Sequence, residues 1–180
     1  MILVVYAHPY PGRSRACAAL LAALAGVPGL ERRSLYELYP DFDVDIDAEQ
    51  AALLRADAIV WLHPMYWYSA PALMHHWLEK VMVQGFAYGG GGSRIAGKPV
   101  LWATTTGGDA SAFSPEGRHH HEFAEFVPAI EQTARYCGLE WREPFMLHGA
   151  HLVADAALAQ AGEALRARIA ALVPAAAPAA

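Results

Sequence analysis

One stretch of the chain constrains the fold more than any other. It begins with the apolar run Ala58–Leu62, is interrupted at His63-Pro64, and continues after Ser69 with apolar residues at helical spacing. An unbroken apolar run followed by an amphipathic one predicts a strand, a loop and a helix. The continuous apolar character of the strand is typical of a parallel sheet covered on both faces.

The loop inside this unit carries large side chains where a chain normally turns. Loops after buried strands are usually rich in Gly, Ser, Asp or Asn, whereas this one reads Met65-Tyr66-Trp67-Tyr68. Ligands of open α/β sheets bind at the carboxyl ends of the strands. We therefore interpret the loop as one wall of a site for a planar cofactor. The alternative is that its aromatic side chains cap the core or bury a dimer contact.

The bulk composition indicates one globular domain. The chain has 180 residues, of which 55% are hydrophobic and 17% charged, enough for a sizeable core. We expect this domain to span residues 1–173 and the Ala/Pro-rich segment 174–180 to be a disordered tail. The formal net charge of −5 argues against non-specific binding to nucleic acid.

The cysteines and the hydropathy pattern bear on location. Cys17 and Cys137 lie far apart without CxxC spacing, which predicts two buried thiols in a reducing compartment and no metal knuckle. No apolar stretch reaches the roughly 20 residues that cross a bilayer. The apolar start of the chain predicts a first strand and not a signal peptide. We expect a cytoplasmic protein that meets a membrane only through a partner.

Strand and helix patterns alternate along the chain. The predicted strands are Ile2–Tyr6, Leu30–Leu35, Ala58–Leu62, Lys98–Ala103 and Glu140–Leu147. The predicted helices are Ser14–Ala25, Ala48–Arg55, Pro71–Val83, Glu122–Cys137 and Asp155–Leu172. This alternation predicts a doubly wound α/β fold with a five-stranded parallel sheet in the order 2-1-3-4-5. Its topological switch point lies between the first and third strands.

Two further loops at this edge have features of a binding site. The first strand leads to Ser14, a predicted N-cap, and a helix N-terminus there suits a phosphate; the alternative is an ordinary capped turn. The fourth strand leads to Thr105-Thr106-Gly107-Gly108, whose glycines let backbone N–H groups come close to a ligand. Together with the aromatic wall, these loops predict a flavin mononucleotide site.

Several other patterns fit no known site. In Asp41–Asp47, aspartates alternate with apolar residues, but the segment lacks the glycine and the closing glutamate of a calcium loop. The consecutive histidines at 119–121 do not converge on one ion. No metal site is therefore expected. The Gly89–Gly92 run leads to Lys98 as in a phosphate-binding P-loop. Because Pro99 replaces the hydroxyl residue and a strand follows, we reject nucleotide hydrolysis. We expect this excursion to cover the site or a dimer partner.

The site loops resemble those of a known family. The segments that carry the resemblance are His63–Tyr68, Lys80-Val81, Gly85–Tyr88 and Thr105–Gly108. They are similar to the NAD(P)H:quinone oxidoreductases of the flavodoxin-like fold. Within that family, Tyr6–Pro11 and Ser34–Phe42 are most similar to the cytosolic ancillary proteins of the Kef glutathione-gated potassium efflux systems.

The resemblance implies a homodimer that binds FMN near the subunit boundary. It carries FMN contacts onto His8, Ser14, Arg15, Ala16, Cys17, Met65, Tyr66, Trp67, Tyr68, Thr105, Thr106, Gly107 and Gly108. Mammalian-type members place a Tyr and a His after the Thr-Gly-Gly turn to share charge with the reduced flavin. Those catalytic offsets fall here on Phe113 and His119. Because phenylalanine cannot form the hydrogen bond, His119 or a neighbouring histidine must supply any proton.

The implied activity is that of an NAD(P)H dehydrogenase (quinone). In a ping-pong reaction, NAD(P)H gives a hydride to the flavin and leaves, and a quinone then accepts two electrons. The short loops favour FMN over FAD. One alternative is a regulatory subunit that docks on the potassium efflux transporter and uses flavin as a sensing ligand. Another is a general azo or nitro reductase.

Overall fold

The computed structural model describes residues 1–173, and the predicted disordered tail at 174–180 lies outside the described residues. Five parallel strands form one sheet in the order β2-β1-β3-β4-β5, as the sequence predicts. The strands are β1 (Ile2–Tyr6), β2 (Leu30–Ser34), β3 (Ala58–Pro64), β4 (Pro99–Thr105) and β5 (Glu140–Leu147). β1 and β3 are buried along their whole length, as continuous apolar strands of a covered parallel sheet should be.

Helices cover both faces of the sheet. They are α1 (Ala16–Ala23), α2 (Leu35–Leu38), α3 (Ile46–Arg55), α4 (Ala72–Val81), α5 (Pro128–Tyr136) and α6 (Asp155–Ala170). On one face, Trp61, Trp77 and Trp102 are fully buried in a core shared with α3, α4 and α5. On the other face, the core joins the sheet to α1 and α6 through Leu20, Leu165 and Ile169. Side chains of the central strands β1, β3 and β4 therefore meet apolar neighbours on either face, whereas the edge strands β2 and β5 carry exposed residues.

Several predicted element boundaries differ from the structure, most of them by one or two residues, and four of the differences have a clear local reason. The first helix begins at Ala16 and not at Ser14, because Pro11–Arg13 forms a separate 3-10 turn. Leu35 starts the one-turn helix α2 instead of ending β2, so residues 1–173 contain six α-helices and not five. α3 begins two residues early, at Ile46, because Asp45 caps it by accepting the Ala48 amide at 3.0 Å.

The fourth error concerns the helix predicted over Glu122–Cys137. It is split into a 3-10 helix at Phe123–Phe126 and α5, which begins at Pro128. Proline has no N–H to bond to the preceding turn, so it starts a helix far more readily than it continues one. The predicted end of α5 is correct, since Gly138 has φ +72 and its amide bonds to the Arg135 carbonyl at 2.9 Å.

A buried carboxylate holds the β2, α3 and α4 elements together. Glu49 is fully buried, and its oxygens accept hydrogen bonds from three side chains on different segments. The donors are Arg33 Nε at 2.9 Å, the Tyr39 hydroxyl at 2.6 Å and Trp77 Nε1 at 2.8 Å. Because every donor reaches the charge directly, the ion pair with Arg33 is tolerated inside the core.

The glycine-rich excursion Gly85–Gly97 lies at the end of the sheet opposite the strand carboxyl termini. It leads into the start of β4, where the Gly97 amide donates to the Gly138 carbonyl at 2.8 Å. Next to it, Lys98 Nζ donates to the Leu53 carbonyl at the end of α3, at 2.7 Å. The excursion therefore does not cover the cavity of its own chain, and contact with a dimer partner stays a prediction.

Cys17 and Cys137 are both buried and both free, as predicted. Within residues 1–173, no helix combines the length and the apolar character that crossing a membrane requires.

Candidate functional site

A cavity of about 370 Å³ opens at the carboxyl ends of the strands. It lies at the switch point between β1 and β3, as predicted for the site. Nine of the thirteen predicted cofactor residues line it: His8, Ser14, Arg15, Ala16, Cys17, Met65, Tyr66, Thr105 and Gly107. Thr106 is buried behind the wall, and Gly108 lies on an adjoining cleft that shares Gly107 with the cavity. Trp67 and Tyr68 lie outside the lining.

The start of α1 presents free backbone donors to one end of the cavity. Ser14 does not occupy the N-cap position, which belongs to Arg15, but its Oγ still accepts the Ala18 amide at 3.3 Å. The amides of Ala16 and Cys17 have no acceptor in the part of the chain that the structure describes. Free N–H groups at a helix N-terminus attract an anion. This end of the cavity is therefore suited to a phosphate.

Two charged or polar side chains border the same end. The Arg15 guanidinium is held by Asp155, the first residue of α6, at 2.5 Å. His8 accepts the Tyr10 amide on Nδ1 at 3.0 Å, so the proton of the neutral ring is on Nε2. Burial lowers the pKa of His8, which favours this neutral form. His8 is thus a hydrogen-bond donor at neutral pH and not a fixed positive charge.

The buried thiol of Cys17 is part of the cavity wall. Its sulfur lies 3.2 Å from the Thr105 hydroxyl oxygen, which links α1 to the end of β4. Burial raises the pKa of the Cys17 thiol to about 11. Because nucleophilic chemistry requires the thiolate, Cys17 has a packing role in this wall.

The aromatic loop is a tight turn in a conformation that its residues disfavour. Tyr66 and Ser69 exchange two backbone hydrogen bonds, of 3.2 and 3.0 Å. The two residues between them are left-handed, with φ +51 at Trp67 and φ +61 at Tyr68. Such turns favour Asn and Gly, so bulky aromatic residues are strained there. Strain of this kind is typical of functional loops. Trp67 is 93% exposed.

The Thr-Gly-Gly turn lies against the aromatic loop and against the segment after β5. Met65 donates its amide to the Thr105 carbonyl at 2.8 Å, which joins the bases of the two loops. The Thr106 carbonyl accepts the Ala150 amide at 2.8 Å. In a trans peptide the N–H points opposite to the carbonyl, so the Gly107 N–H points away from Ala150. Within residues 1–173 this N–H has no acceptor.

Phe113 and His119 come together with Tyr68 beside this turn. The rings of Phe113 and His119 are 4.4 Å apart, and His119 Nδ1 lies 3.4 Å from the Tyr68 hydroxyl. A Cβ added to Gly108 would lie 3.0 Å from His119 Nε2, so a larger residue here would push the imidazole aside by a few tenths of an ångström. His121 instead pairs with Glu125 on the exposed surface. Of the three consecutive histidines, His119 is the one that contacts the turn.

Arg13, which the sequence places beside Ser14 as a possible donor to a phosphate, also lines the cavity, whereas four lining residues were missed: Tyr10, Pro64, Ala150 and His151. Ala150 and His151 belong to the loop after β5, where a ligand-binding role carried no compositional signal. Their position was nevertheless predictable, because all strands of a parallel sheet end at the same edge. His151 approaches Gly107, since a Cβ on that glycine would be 3.6 Å from the imidazole.

Comparison with known proteins agrees with this architecture. The model of a family described as having a flavodoxin-like fold matches residues 1–169. The chain belongs to this family. It is also 51% identical to the glutathione-regulated potassium-efflux system ancillary protein KefF of Enterobacter sp. (strain 638), over 148 residues that make up 82% of this chain and 83% of that protein. The similarity to the Kef branch is therefore confirmed.

Two solved structures of this flavodoxin-like fold are close in shape. General stress protein 14 of Treponema denticola, solved in complex with FMN, has a TM-score of 0.88 at 29% identity, covering 96% of this chain and 99% of that one. An NADPH-quinone reductase from P. pentosaceus has a TM-score of 0.84 at 25% identity, covering 94% of this chain and 97% of that one. Proteins of similar structure thus include one solved with FMN and one named as an NADPH-quinone reductase.

Proposed function

We propose that this protein is an FMN-dependent NAD(P)H:quinone oxidoreductase with a two-electron ping-pong reaction. One observation carries the proposal: the lining of one cavity includes Ala16-Cys17 and Gly107, whose backbone amides have no acceptor within residues 1–173, and the first residues of the aromatic loop. These features match a ligand with a phosphate at one end and a flat ring at the other. The FMN complex of the Treponema denticola protein supports the assignment.

Different residues of the cavity would contact different parts of FMN. The free amides at the start of α1, with Ser14 and His8, would hold the phosphate. Met65 and Tyr66 would contact the ring, and the Gly107 amide would donate to its polar edge. Trp67 and Tyr68 have exposed aromatic surface that can close over the ligand. FMN supplies the chemistry of accepting a hydride and passing two electrons to a quinone.

His119 is the proposed proton-handling residue. It is half-buried beside Gly108, and the Tyr68 hydroxyl and the Phe113 ring fix its orientation. An imidazole can donate and accept protons near neutral pH, whereas Phe113 has no group that exchanges one. Phe113 is buried against His119 and acts by packing.

The direct test of the cofactor is the purified protein itself. We expect a yellow preparation, and we expect mass spectrometry of the heat-released ligand to identify FMN. Stripped protein should take FMN up again in a fluorescence titration. A protein that stays colourless in excess FMN would overturn the proposed function, and released FAD would overturn the choice of mononucleotide.

His119→Ala should lower kcat for quinone reduction by about 10²–10⁴-fold, because general acid–base groups contribute that much. FMN affinity should change little, since His119 lies outside the cavity lining. His121→Ala is the matched control, because His121 is exposed and forms an ion pair with Glu125 away from the turn. Stopped-flow kinetics with NADPH and a soluble quinone measure both variants. Wild-type turnover in His119→Ala would remove this residue from the reaction.

A second role follows from the similarity to KefF. We infer that the protein is cytoplasmic and docks on the cytosolic side of a glutathione-regulated potassium efflux transporter. Co-purification with such a transporter, in membranes from cells that express both, tests the docking. Binding by FMN-free protein would support a regulatory role independent of catalysis. Absence of binding in both FMN states would contradict it.

The homodimer implied by the family stays a proposal. We expect the purified protein to elute as a dimer, with the Gly85–Gly97 excursion at the subunit boundary. Light scattering of the wild type and of a variant with Gly89–Gly92 deleted measures this. A monomeric wild type would contradict the dimer.

A further inference from the structure

His148 lies directly behind the Thr106–Gly108 turn and has no part in the reaction proposed above. It follows the last residue of β5, Leu147, whose carbonyl accepts the Thr106 amide at 3.0 Å. The half-buried His148 ring packs against Phe113 and Phe123, at centroid distances of 5.1 and 5.3 Å. Its Nδ1 is 2.9 Å from the Thr106 hydroxyl oxygen. The imidazole is therefore held in one orientation against the turn.

The Thr106 hydroxyl determines which nitrogen of His148 carries the proton. This hydroxyl has one hydrogen, which it donates to the Gly108 carbonyl at 2.7 Å. At its contact with His148 it must therefore accept, so Nδ1 of His148 is the donor. The result is a directed chain from the imidazole N–H to the Thr106 hydroxyl and on to the Gly108 carbonyl, in which each bond polarises the next.

This chain fixes the orientation of the turn. The Gly108 carbonyl accepts both the Thr106 hydroxyl and the Gly149 amide, the latter at 2.8 Å. With the Thr106 carbonyl bonded to Ala150, two peptide planes of the turn have their oxygens toward the segment after β5. Their N–H groups, on Gly107 and Asp109, consequently point the other way.

We propose that His148 is a positioning residue of the cofactor site, which acts through Thr106 to hold the Gly108 carbonyl and so to restrain the turn whose Gly107 amide faces the flavin. The role rests on the proposed FMN site and deepens it, because it assigns the amide donor a supporting histidine. Loss of the imidazole N–H frees the Thr106 hydroxyl to rotate. The turn then loses one of its two constraints at Gly108, and the Gly107 amide on the neighbouring peptide is held less firmly before the ligand arrives.

The test compares His148→Asn with His148→Leu, two side chains of nearly the same shape. The Asn amide supplies an N–H where Nδ1 lies, and Leu does not. We expect His148→Leu to bind FMN about three- to tenfold more weakly, as for one lost hydrogen bond. Its bound flavin should also have a more negative reduction potential, because the reduced ring loses a well-placed donor. His148→Asn should stay within about twofold of wild type. Fluorescence titration and spectroelectrochemistry measure the two quantities.

Variants of Thr106 repeat the test from the other partner without changing the packing of the imidazole. Thr106→Ser keeps the hydroxyl and Thr106→Val removes it at constant shape. In the Thr106→Val background, His148→Leu should cause no further change in FMN affinity or potential. Equal FMN affinity and potential in His148→Leu and His148→Asn, or a full effect of His148→Leu in the Thr106→Val background, would overturn the role of His148. A wild-type protein that takes up no FMN would instead overturn the proposed function.

Discussion

At the scale of single residues, the site is marked by a conformation that its sequence disfavours. Trp67 and Tyr68 are both left-handed, which costs an L-residue with a side chain about 1–2 kcal/mol. Trp67 recovers little of this through packing, because 93% of it is exposed. The indole therefore stabilises the free single chain hardly at all, and its surface is available to a ligand or to a dimer partner.

Replacing Trp67 should separate stability from cofactor binding. Trp67→Asn should raise the free energy of unfolding of the FMN-free protein by about 1 kcal/mol, because Asn tolerates the left-handed region. The same change should weaken FMN binding through loss of the ring. Trp67→Ala is the control, since it removes the indole but keeps the strain. Urea unfolding and FMN titration measure the two effects. Equal stability of the Asn and Ala variants would contradict backbone strain at position 67.

At the scale of elements, α1 and α6 must cross closely for the start of α1 to reach the cavity. Gly162 in the middle of α6 makes this possible, because a Cβ there would lie 2.7 Å from the Cβ of Ala23 in α1. Arg15 and Asp155 join the beginnings of the same two helices. The free amides of α1 are thus placed by helix packing as well as by the β1 loop.

Gly162→Ala should destabilise the protein although alanine is the better helix former. The higher helix propensity of alanine alone would stabilise the protein by about 1 kcal/mol. The helices must nevertheless separate, at a cost of about 1–3 kcal/mol for overpacking. Thermal unfolding measures the net loss. The swap Ala23→Gly with Gly162→Ala moves the methyl group to the other helix and should recover most of it. A Gly162→Ala protein more stable than wild type would show that α1 and α6 leave room for a methyl group at this position.

At the scale of the whole molecule, a buried histidine couples stability to pH. His63 in β3 is 1% exposed; its Nδ1 lies 3.0 Å from the Pro64 carbonyl, and its Nε2 accepts Trp102 Nε1 at 3.0 Å. Burial lowers the pKa of His63 to about 4. Between about pH 6.5 and 4 the unfolded chain binds a proton here that the folded protein does not. Stability must therefore fall as the pH falls through this window.

We expect His63 to lower the free energy of unfolding by about 2 kcal/mol between pH 7.5 and pH 5. His63→Gln keeps an acceptor for Trp102 but does not titrate, so its stability should depend less on pH by that amount. Urea unfolding of both proteins at the two pH values gives the comparison, and other groups titrate alike in both. Parallel pH dependences would mean that His63 titrates in the folded protein as it does in the unfolded chain.

The sequence alone determined the sheet and most of the cavity. Strand order and burial follow from continuous apolar runs such as Ala58–Leu62 and from the alternation of strands with helices, which are local signals. The residues that line the cavity from α1, the aromatic loop and the Thr-Gly-Gly turn were found because the carboxyl ends of parallel strands share one edge. Local patterns failed at Pro128, where one missing N–H split a predicted helix.

Only the tertiary structure decided how distant segments meet. It brought Glu49 to Arg33 and Trp77, chose His119 among three consecutive histidines, and placed His148 behind the Thr-Gly-Gly turn. These contacts depend on how helices and loops pack over the sheet, and no residue pattern within one segment encodes the geometry of another. Periodicity reports which face of an element is apolar, whereas the partner of a polar side chain is fixed only when the chain is folded.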